Sequence, residues 1–530
     1  MYKRLSAIFF LLFFLASTST AANIEGSWAG TFDAPGVLAA MRLNITSRKE
    51  FADSKIVFNL DGNESANPIQ NFTLNGDDVS FTGDFFKQEV RFVGKFRPDN
   101  LSGSFEIFRN GAKTSSGEWN LRRFDDSVLS KVANVVSTTP NGKVELPKPT
   151  GSFPIGRRTF YWTDENRPET ITDDERDKRK LFVQLWYPAK KSDKNSAAEY
   201  YPDLEELQAK NPNLAVLRTV QTHAKADISI AKSKAGFPVI IFSPGQGVSS
   251  FEYTAIIENL ASQGFVVAAI NHAYDAGNFK FSDGNIIRYA TDVWDKSVSA
   301  AWTAEMRKKF FDERRKGWAE DISFVVNQLI TLNGEGMFKK KLDAENIGVL
   351  GHSLGGQAAT IACAEDKRLK ACSNLDGLVQ GAAFLPNSKG ENLKQPFLFF
   401  FKESVATDYE LKIMGLSRNE YDVRERKRMI ERWKPSLKTR LDSLETGAYL
   451  AVFRGATHQS FSDLPLLEAN PKDETVTDRQ IRAKIINEYI LAFFDKFLRK
   501  KNSPLLDSQN QSHPQVVLEI LRKNEPRAAQ

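Results

Sequence analysis

The sequence predicts an α/β fold, a mostly parallel sheet flanked by helices, preceded by a small all-β barrel or sandwich domain. Two observations support this prediction. From about residue 151 to 506, continuous apolar runs typical of buried parallel strands alternate with segments of helical periodicity. From residue 23 to 123, about eight short runs alternate with turn dipeptides such as Asn75-Gly76, which are typical of antiparallel hairpins.

Length and composition indicate a globular protein of two or three folded units. The chain has 530 residues, of which 41% are hydrophobic and 26% are charged, enough to bury a large core. It contains 72 basic and 66 acidic residues, so the formal net charge of +6 is small for this length. This near balance gives no reason to expect a nucleic-acid partner.

The first residues have the pattern of a secretory signal peptide. Lys3 and Arg4 precede an apolar run over residues 5–16, and small and polar residues then lead to a cleavage site near Ala22. The apolar run is short for a helix that crosses a bilayer, although an uncleaved anchor is the alternative. We therefore expect residues 1–22 to be a signal peptide and the protein to be secreted or periplasmic.

Two further segments are predicted to lie outside the folded domains. Residues 124–150 contain breakers such as Pro140, Pro147 and Pro149 and few apolar residues, which predicts a linker between the all-β domain at 23–123 and the α/β domain at 151–506. Residues 507–530 are predicted to be a tail.

The chain has only two cysteines, Cys363 and Cys372. Export would permit a disulfide between them, and two separate buried thiols are the alternative. Two cysteines are too few for a structural zinc site of the usual kind. We expect no metal and no other cofactor.

The strongest chemical signal is a G-x-S-x-G motif formed by Gly351, Ser353 and Gly355. A buried apolar run over residues 346–350 precedes it, and a predicted helix over residues 356–364 follows it. This strand–turn–helix setting is that of the nucleophile elbow of the α/β-hydrolase fold, where the flanking positions must be small. The motif predicts that Ser353 is a nucleophile and that the two glycines permit the turn.

A nucleophilic serine needs a general base, and five histidines are available. In this fold the acid follows the serine and the histidine follows the acid. His458 has this order and lies in a loop after the last predicted strand of the sheet. His352 is adjacent to the serine and is expected to be a packing residue, and His272 is a candidate for lining the pocket. The other two lie in an upstream polar segment and in the tail: His223 and His513.

The acid cannot be chosen from spacing alone. Asp376 follows the predicted strand at residues 369–375. Glu403 and Asp408 follow the next predicted strand, which is the commoner position for the acid in this fold. The three carboxylates remain open alternatives at this point.

An oxyanion hole is also required, because the tetrahedral intermediate of acyl transfer carries charge on the former carbonyl oxygen. The first donor is predicted to be the backbone N–H of Leu354, directly after the nucleophile. The second is expected in the glycine-containing loop at residues 243–247, where the backbone amide of Gln246 is our choice. A glycine turn without catalytic duty is the alternative for this loop.

Matching segments run in order between residues 150 and 505, namely Gly156 with Thr159-Phe160 and residues 179–188, 237–247, 260–272, 351–356, 365–368, 375–376 and 454–463. Together they resemble the platelet-activating-factor acetylhydrolases of the plasma, lipoprotein-associated type, the group VII phospholipases A2. The resemblance implies that Asp376, in a Leu-Asp pair soon after the nucleophile, is the acid. It also implies calcium-independent hydrolysis of short or oxidised acyl chains on phospholipids.

The sequence departs from this family in three places. Ser243-Pro244-Gly245 stands where the family usually has Ser-His-Gly. The stretch between residues 401 and 449 is longer and contains a basic helix at 424–433, for which a cap, an interfacial helix and a solvated helix are open. The all-β domain lies outside the resemblance, and a structural module and a binding accessory are both open for it.

The predicted function is that of a secreted serine esterase that releases short sn-2 acyl groups through an acyl-enzyme. A general carboxylesterase or polyester hydrolase is the alternative on the same scaffold. An alternative of another class is a non-catalytic binding protein that acts through the all-β domain. The expected partners are an ester or phospholipid substrate and a lipid interface, without nucleic acid or metal.

Overall fold

The structure is a computed structural model. It divides into two compact units. The first is formed by Met1–Ser127 with Ile413–Gly415, and the second by Val128–Lys412 with Leu416–Gln530. The predicted signal peptide, most of the predicted linker and most of the basic helix predicted at 424–433 lie outside the described residues. The described residues are 24–34, 37–46, 53–60, 63–85, 88–109, 111–125, 144–191, 197–208, 217–298, 302–377, 393–403, 406, 408–421, 423–424, 448–467, 476–507 and 512–521.

The first unit is a single antiparallel sheet in the order β4-β3-β2-β1-β9-β8-β7-β6-β5. Its strands are β1 Gly26–Ala34, β2 Val37–Ile45, β3 Lys55–Leu60, β4 Asn63–Pro68, β5 Gln70–Asn75, β6 Asp78–Asp84, β7 Glu89–Arg97, β8 Asn100–Arg109 and β9 Ala112–Arg123. The sequence predicts about eight of these nine strands. The strand that it misses, β4, is mostly polar and has no large apolar residue, so it lacks the apolar alternation that reveals the others.

Aromatic side chains fill the interior of this sheet. Burial alternates along the strands, as in β7, so that every second side chain points inward. Phe32 and Phe105 stack with ring centroids 3.9 Å apart. The fully buried aromatic residues are Trp28, Phe32, Phe58, Phe81, Phe92, Phe105 and Trp119. This interior is a packed apolar core.

The second unit is built on a ten-stranded sheet in the order β14-β11-β12-β16-β15-β19-β20-β21-β22-β23. The six central strands, from β16 to β22, are parallel to one another. The strands of this unit are β10 Val144–Glu145, β11 Ile155–Pro168, β12 Lys178–Pro188, β13 Val220–Gln221, β14 Ala224–Ala226, β15 Phe237–Ser243, β16 Val266–His272, β17 Phe279–Lys280, β18 Ile286–Ile287, β19 Leu342–His352, β20 Leu369–Leu375, β21 Phe397–Glu403, β22 Ala448–Arg454 and β23 Val516–Leu521.

Helices cover this sheet, and apolar residues form a core against it on both faces. Every residue of β15 and β16 is buried, as expected for parallel strands between two helical layers. The helices are α1 Leu204–Gln208, α2 Thr254–Ser262, α3 Thr291–Val298, α4 Ala304–Leu332, α5 Leu354–Glu365, α6 Asp408–Met414, α7 Leu464–Leu467, α8 Val476–Leu498 and α9 Pro504–Asp507. The fold-class prediction of an α/β-hydrolase domain preceded by an all-β domain is confirmed.

The chain beyond residue 506 corrects one prediction. The sequence places residues 507–530 in a tail, whereas Val516–Leu521 forms β23 and pairs antiparallel with β22, with Leu518 opposite Ala451. The described apolar side chains of this short segment are buried or partly buried by pairing with β22, so β23 forms the edge of the sheet.

Cys363 and Cys372 form a disulfide, which decides between the two alternatives left open by the sequence. The bond joins α5 to β20, and both cysteines are fully buried. Of the helices in the described ranges, none has the length and apolar character that crossing a bilayer would require.

Candidate active site

The predicted site residues follow four of the five neighbouring parallel strands from β15 to β22. Gln246 lies in the loop after β15, Ser353 directly after β19, Asp376 directly after β20 and His458 in the loop after β22. Because the carboxyl ends of parallel strands lie along one edge of a sheet, the topology brings these residues to the same place.

Ser353 occupies a sharp turn between β19 and α5. Its backbone has φ 53° and ψ −120°, a conformation that a non-glycine residue adopts only at a cost. A Cβ atom at Gly351 would collide with the backbone oxygen of Gly355, and one at Gly355 would collide with the loop after β15. Both positions therefore require glycine, as predicted from the motif. The N–H of Ser353 donates to the oxygen of Leu375 at 2.9 Å, which fixes the turn to the end of β20.

His458 and Asp376 are in direct contact. Nδ1 of His458 lies 2.6 Å from Oδ2 of Asp376. The carboxylate is nearly fully buried, and its other oxygen accepts a hydrogen bond from the N–H of Lys402 at 3.4 Å. Asp376 itself has φ 47° and donates its N–H to the oxygen of Phe400 at 2.9 Å. An Nδ1–H that donates to this carboxylate leaves Nε2 free to accept a proton.

The structure distinguishes Asp376 from the rival acids by its contact with His458. Glu403 lies at the end of β21 and pairs with Arg454 at 3.3 Å. Asp408 begins α6, and its side chain lies outside the described part of the chain. His223 and His513 contact carboxylates of their own at 2.9 Å each.

His352 connects the turn at Ser353 to the loop of His458. Its Nε2 is 3.0 Å from the backbone oxygen of His458, and its Nδ1 is 2.8 Å from the hydroxyl of Tyr253. Burial lowers the pKa of His352 well below its usual range, and the nearby His458 lowers it further. The predicted packing residue is thus a neutral, hydrogen-bonded link between the two loops. Tyr253 escaped the sequence analysis because nothing near it in the chain marks it.

No hydrogen bond joins the hydroxyl of Ser353 to His458 in the described part of the chain. The two residues are nonetheless neighbours, because His352, which precedes Ser353, has its ring centroid 4.5 Å from that of His458. Catalytic hydrogen bonds are often long in the absence of substrate and tighten when substrate binds.

The loop at residues 243–247 approaches the serine closely. A Cβ atom at Gly245 would lie 3.4 Å from Cβ of Ser353. Two amides of this loop are already used, since Gly245 donates to the Tyr253 hydroxyl at 3.0 Å and Gly247 donates to the oxygen of Asp275 at 2.9 Å. The backbone N–H of Gln246 has no protein acceptor among the described residues, whereas its side-chain amide donates to the hydroxyl of Tyr289 at 2.9 Å. Of the three backbone N–H groups at residues 245–247, that of Gln246 therefore remains available to a ligand.

The backbone N–H of Leu354 is also available to a ligand. It is the first residue of α5, so its N–H has no partner within the helix, and no other described residue accepts from it. A helix N-terminus also favours negative charge.

The structure corrects the expectation for His272. Its side chain is fully buried and hydrogen-bonded to Ser243 and Asp321, so it does not line a pocket. Within the described ranges, no cluster of three or more His, Cys, Asp or Glu residues is placed to hold a metal ion.

Comparisons with known proteins identify the family of the chain and several of its relatives. The sequence model of the family "Platelet-activating factor acetylhydrolase, isoform II" matches residues 138–294 and 321–515, more than half of the chain. The "Probable 1-alkyl-2-acetylglycerophosphocholine esterase" of Arthroderma benhamiae is 24% identical over 427 residues, which cover 74% of this chain and 97% of that protein. The platelet-activating factor acetylhydrolase of Cavia porcellus is 23% identical over 396 residues, 70% of this chain and 82% of that protein.

A solved structure gives the same result for the fold. The ferulic acid esterase from Streptomyces cinnamoneus superimposes with a TM-score of 0.53 at 26% sequence identity, covering 71% of this chain and 99% of that one. The predicted resemblance and the predicted ester-hydrolase activity are confirmed. The chain is an ester hydrolase and belongs to the platelet-activating factor acetylhydrolase, isoform II, family.

Proposed function

We propose that the chain hydrolyses carboxylic esters through an acyl-enzyme on Ser353. His458 is the general base, Asp376 orients it, and the N–H groups of Gln246 and Leu354 bind the oxyanion. The observation that carries this assignment is the 2.6 Å hydrogen bond between His458 and Asp376 at the sheet edge where Ser353 occupies its strained turn. We call residues 243–247 the oxyanion loop.

In acylation, Nε2 of His458 takes the hydroxyl proton as the oxygen of Ser353 attacks the carbonyl carbon of the ester. The carbonyl π electrons move to the oxygen, which the amides of Gln246 and Leu354 stabilise. The ester C–O bond then breaks, and the proton on Nε2 passes to the departing alkoxide. Asp376 stabilises the imidazolium without taking its proton.

In deacylation, a water molecule replaces the alcohol. His458 takes one proton from the water as its oxygen attacks the acyl carbon. The second tetrahedral intermediate collapses, the bond to Ser353 breaks, and the proton on Nε2 returns to the serine oxygen. The products are a carboxylic acid, an alcohol and free enzyme, and neither half of the cycle requires a cofactor.

We propose phospholipids with short sn-2 acyl groups as substrates. The family match and the names of the Arthroderma and Cavia relatives support this substrate class. The likeness to a ferulic acid esterase supports a second candidate, simple carboxylic esters with an aromatic acyl group.

Two experiments test these proposals on the full chain. A fluorophosphonate probe should label the wild type and leave Ser353→Ala unlabelled, and equal labelling of both would overturn the assignment of the nucleophile. Initial rates on 1-alkyl-2-acetylglycerophosphocholine, a long-chain phosphatidylcholine, 4-nitrophenyl acetate and methyl ferulate then separate the substrate classes. A higher kcat/KM for methyl ferulate than for the acetyl phospholipid would overturn the phospholipid proposal.

We also propose that the protein is exported. The signal-like pattern of residues 1–22 and the disulfide between Cys363 and Cys372 support this, because disulfides persist mainly in oxidising compartments. Fractionation of cells that express the chain with and without residues 1–22 is the test. Equal retention of both forms in the cytoplasm would contradict the proposal.

A further inference from the structure

A second hydrogen-bonded series of serine, histidine and aspartate side chains lies next to the oxyanion loop. The hydroxyl of Ser243 is 2.9 Å from Nε2 of His272, and Nδ1 of His272 is 2.7 Å from Oδ2 of Asp321. All three residues have 0% exposure. Because a substrate cannot reach a fully buried hydroxyl, these three side chains must have a role other than nucleophilic attack.

The direction of each hydrogen bond follows from the surrounding charges. Burial opposes ionisation of Asp321, but Arg179, whose Nη2 is 2.8 Å away, and His272 outweigh it and hold the pKa of Asp321 below its usual range. A carboxylate only accepts, so Nδ1 of His272 carries a hydrogen. Burial, helped by the charge of Arg179, lowers the pKa of His272 despite the neighbouring carboxylates, which keeps the ring neutral. Its Nε2 therefore accepts from the hydroxyl of Ser243.

The ring of His272 is also held in orientation. Trp318, from α4, stacks on it with centroids 3.9 Å apart and an interplanar angle of 12°. Nε1 of Trp318 donates to Oδ2 of Asp275 at 2.9 Å, and Arg179 lies 3.4 Å from the same oxygen. The histidine, its aspartate and Asp275 thus belong to one buried cluster of charges and aromatic rings.

This cluster holds the oxyanion loop at both ends. The first residue of the loop, Ser243, donates to His272, and the last, Gly247, donates its N–H to the backbone oxygen of Asp275 at 2.9 Å. Gln246, with its available amide, lies between the two attachments. The backbone oxygen of Ser243 also packs against Gly355 in the first turn of α5, next to Leu354. A shift of Ser243 would therefore change the separation of the two oxyanion amides.

We propose that Ser243, His272 and Asp321 are positioning residues that fix the amide of Gln246 relative to that of Leu354 for the developing oxyanion. This inference rests on the proposed function. Preorganised donors stabilise a transition state because they need no rearrangement when charge appears. Loss of the serine hydroxyl should then weaken binding of the oxyanion more than binding of the substrate.

The test compares Ser243→Ala with Ser373→Ala in the full chain. Ser373 is a matched control, since it is a buried strand serine of the same sheet whose hydroxyl donates to the oxygen of Leu398 at 3.1 Å. We expect Ser243→Ala to lower kcat for an aryl ester by roughly tenfold to a hundredfold with KM nearly unchanged. Its affinity for an aryl boronic acid, which forms a tetrahedral adduct on the nucleophile, should fall in proportion. Ser373→Ala should keep both values at the wild-type level.

A second variant tests the same inference if Ser243→Ala does not fold. Trp318→Phe keeps an aromatic ring on His272 but removes the N–H that anchors Asp275, and we expect the same split between kcat and KM. Equal kcat and boronate affinity in Ser243→Ala, Trp318→Phe and Ser373→Ala would overturn the positioning role alone. A wild type that neither reacts with fluorophosphonate nor hydrolyses esters would overturn the proposed function, and this inference with it.

Discussion

Nε2 of His352 donates to the backbone oxygen of His458 across 3.0 Å, which ties the residue before the proposed nucleophile to the proposed base. A carbonyl oxygen only accepts, so the hydrogen of this neutral ring must be on Nε2. Nδ1 then accepts from the hydroxyl of Tyr253, and the oxygen of Tyr253 accepts from the N–H of Gly245. One directed series of hydrogen bonds therefore links the oxyanion loop, the nucleophile turn and the loop of the base.

The first prediction concerns the middle of this series. Tyr253→Phe leaves the N–H of Gly245 and Nδ1 of His352 without a partner, at a cost of about 1–3 kcal/mol in unfolding free energy. It also frees the oxyanion loop from the turn, so kcat should fall by about tenfold or more. Steady-state kinetics and thermal unfolding measure the two effects.

Tyr187→Phe is the matched control for this change. Tyr187 is fully buried, and its hydroxyl donates to the oxygen of Ile228 at 2.8 Å. It should lose a comparable amount of stability while its kcat stays at the wild-type value. If both variants lose the same activity, the hydrogen-bond series through Tyr253 contributes to stability but does not align the catalytic groups.

The second prediction distinguishes the acid from its rival. Asp376→Asn should keep the fold and lower kcat by about a thousandfold or more, because an amide no longer fixes the hydrogen of His458 on Nδ1. Glu403→Gln should change kcat by less than about threefold, since Glu403 pairs with Arg454, whereas Asp376 holds Nδ1 of His458. A larger kcat loss in Glu403→Gln than in Asp376→Asn would reverse the assignment.

The third prediction concerns the turn itself. Gly355→Ala places a methyl group against the backbone oxygens of Ser243 and Pro244, so we expect about 1–3 kcal/mol lower stability and a loss of most activity. Gly317→Ala is the control, because Gly317 lies within α4 and a Cβ atom there meets no other atom within 4 Å. It should raise stability by roughly 0.5–1 kcal/mol and leave kcat unchanged. Full activity in Gly355→Ala would show that the two segments separate more easily than their contact indicates.

The sequence predicts these parts of the site unequally, for physical reasons. Ser353 is predictable because the strand, the small flanking residues and the helix are all local features of the chain. Asp376 is not predictable from spacing, because three carboxylates follow two adjacent strands and only their distances to His458 decide between them. The hydrogen-bonded series of Ser243, His272 and Asp321 could not be predicted from the sequence, since its contacts join residues 29 and 49 positions apart.

The same distinction holds for the fold. The continuous apolar runs of the central parallel strands predict them directly, because both faces of each strand are buried. The strand β4 is mostly polar, and β23 is short and follows a helix-rich segment, so both owe their structure to a neighbouring strand that the sequence pattern does not reveal. Pairing between strands, unlike burial, leaves little trace in the composition of the edge strand.

The last prediction concerns stability as a function of pH. Asp463, five residues after His458, is buried, accepts from the N–H of Ala255 and contacts the hydroxyl of Tyr200 at 3.0 Å. Burial raises the pKa of Asp463 from 3.8 to about 7, and the charge of Glu258 adds to this. The folded protein therefore holds a proton that the unfolded chain releases at lower pH. The stabilising contribution is full below about pH 3.8 and is lost as pH rises through 7.

Asp463→Asn removes this titration. Since one pKa unit corresponds to about 1.4 kcal/mol, the variant should gain stability over the wild type, by several kcal/mol at most, as pH rises from 5 to 8. Thermal unfolding midpoints across this range measure the gain. Glu252, whose pKa burial also raises to about 7, remains as a second source of the same trend, and Glu252→Gln in the Asp463→Asn background should flatten it further. A difference between wild type and Asp463→Asn that stays constant with pH would mean that the carboxyl at 463 is ionised throughout, paired more strongly than its burial indicates.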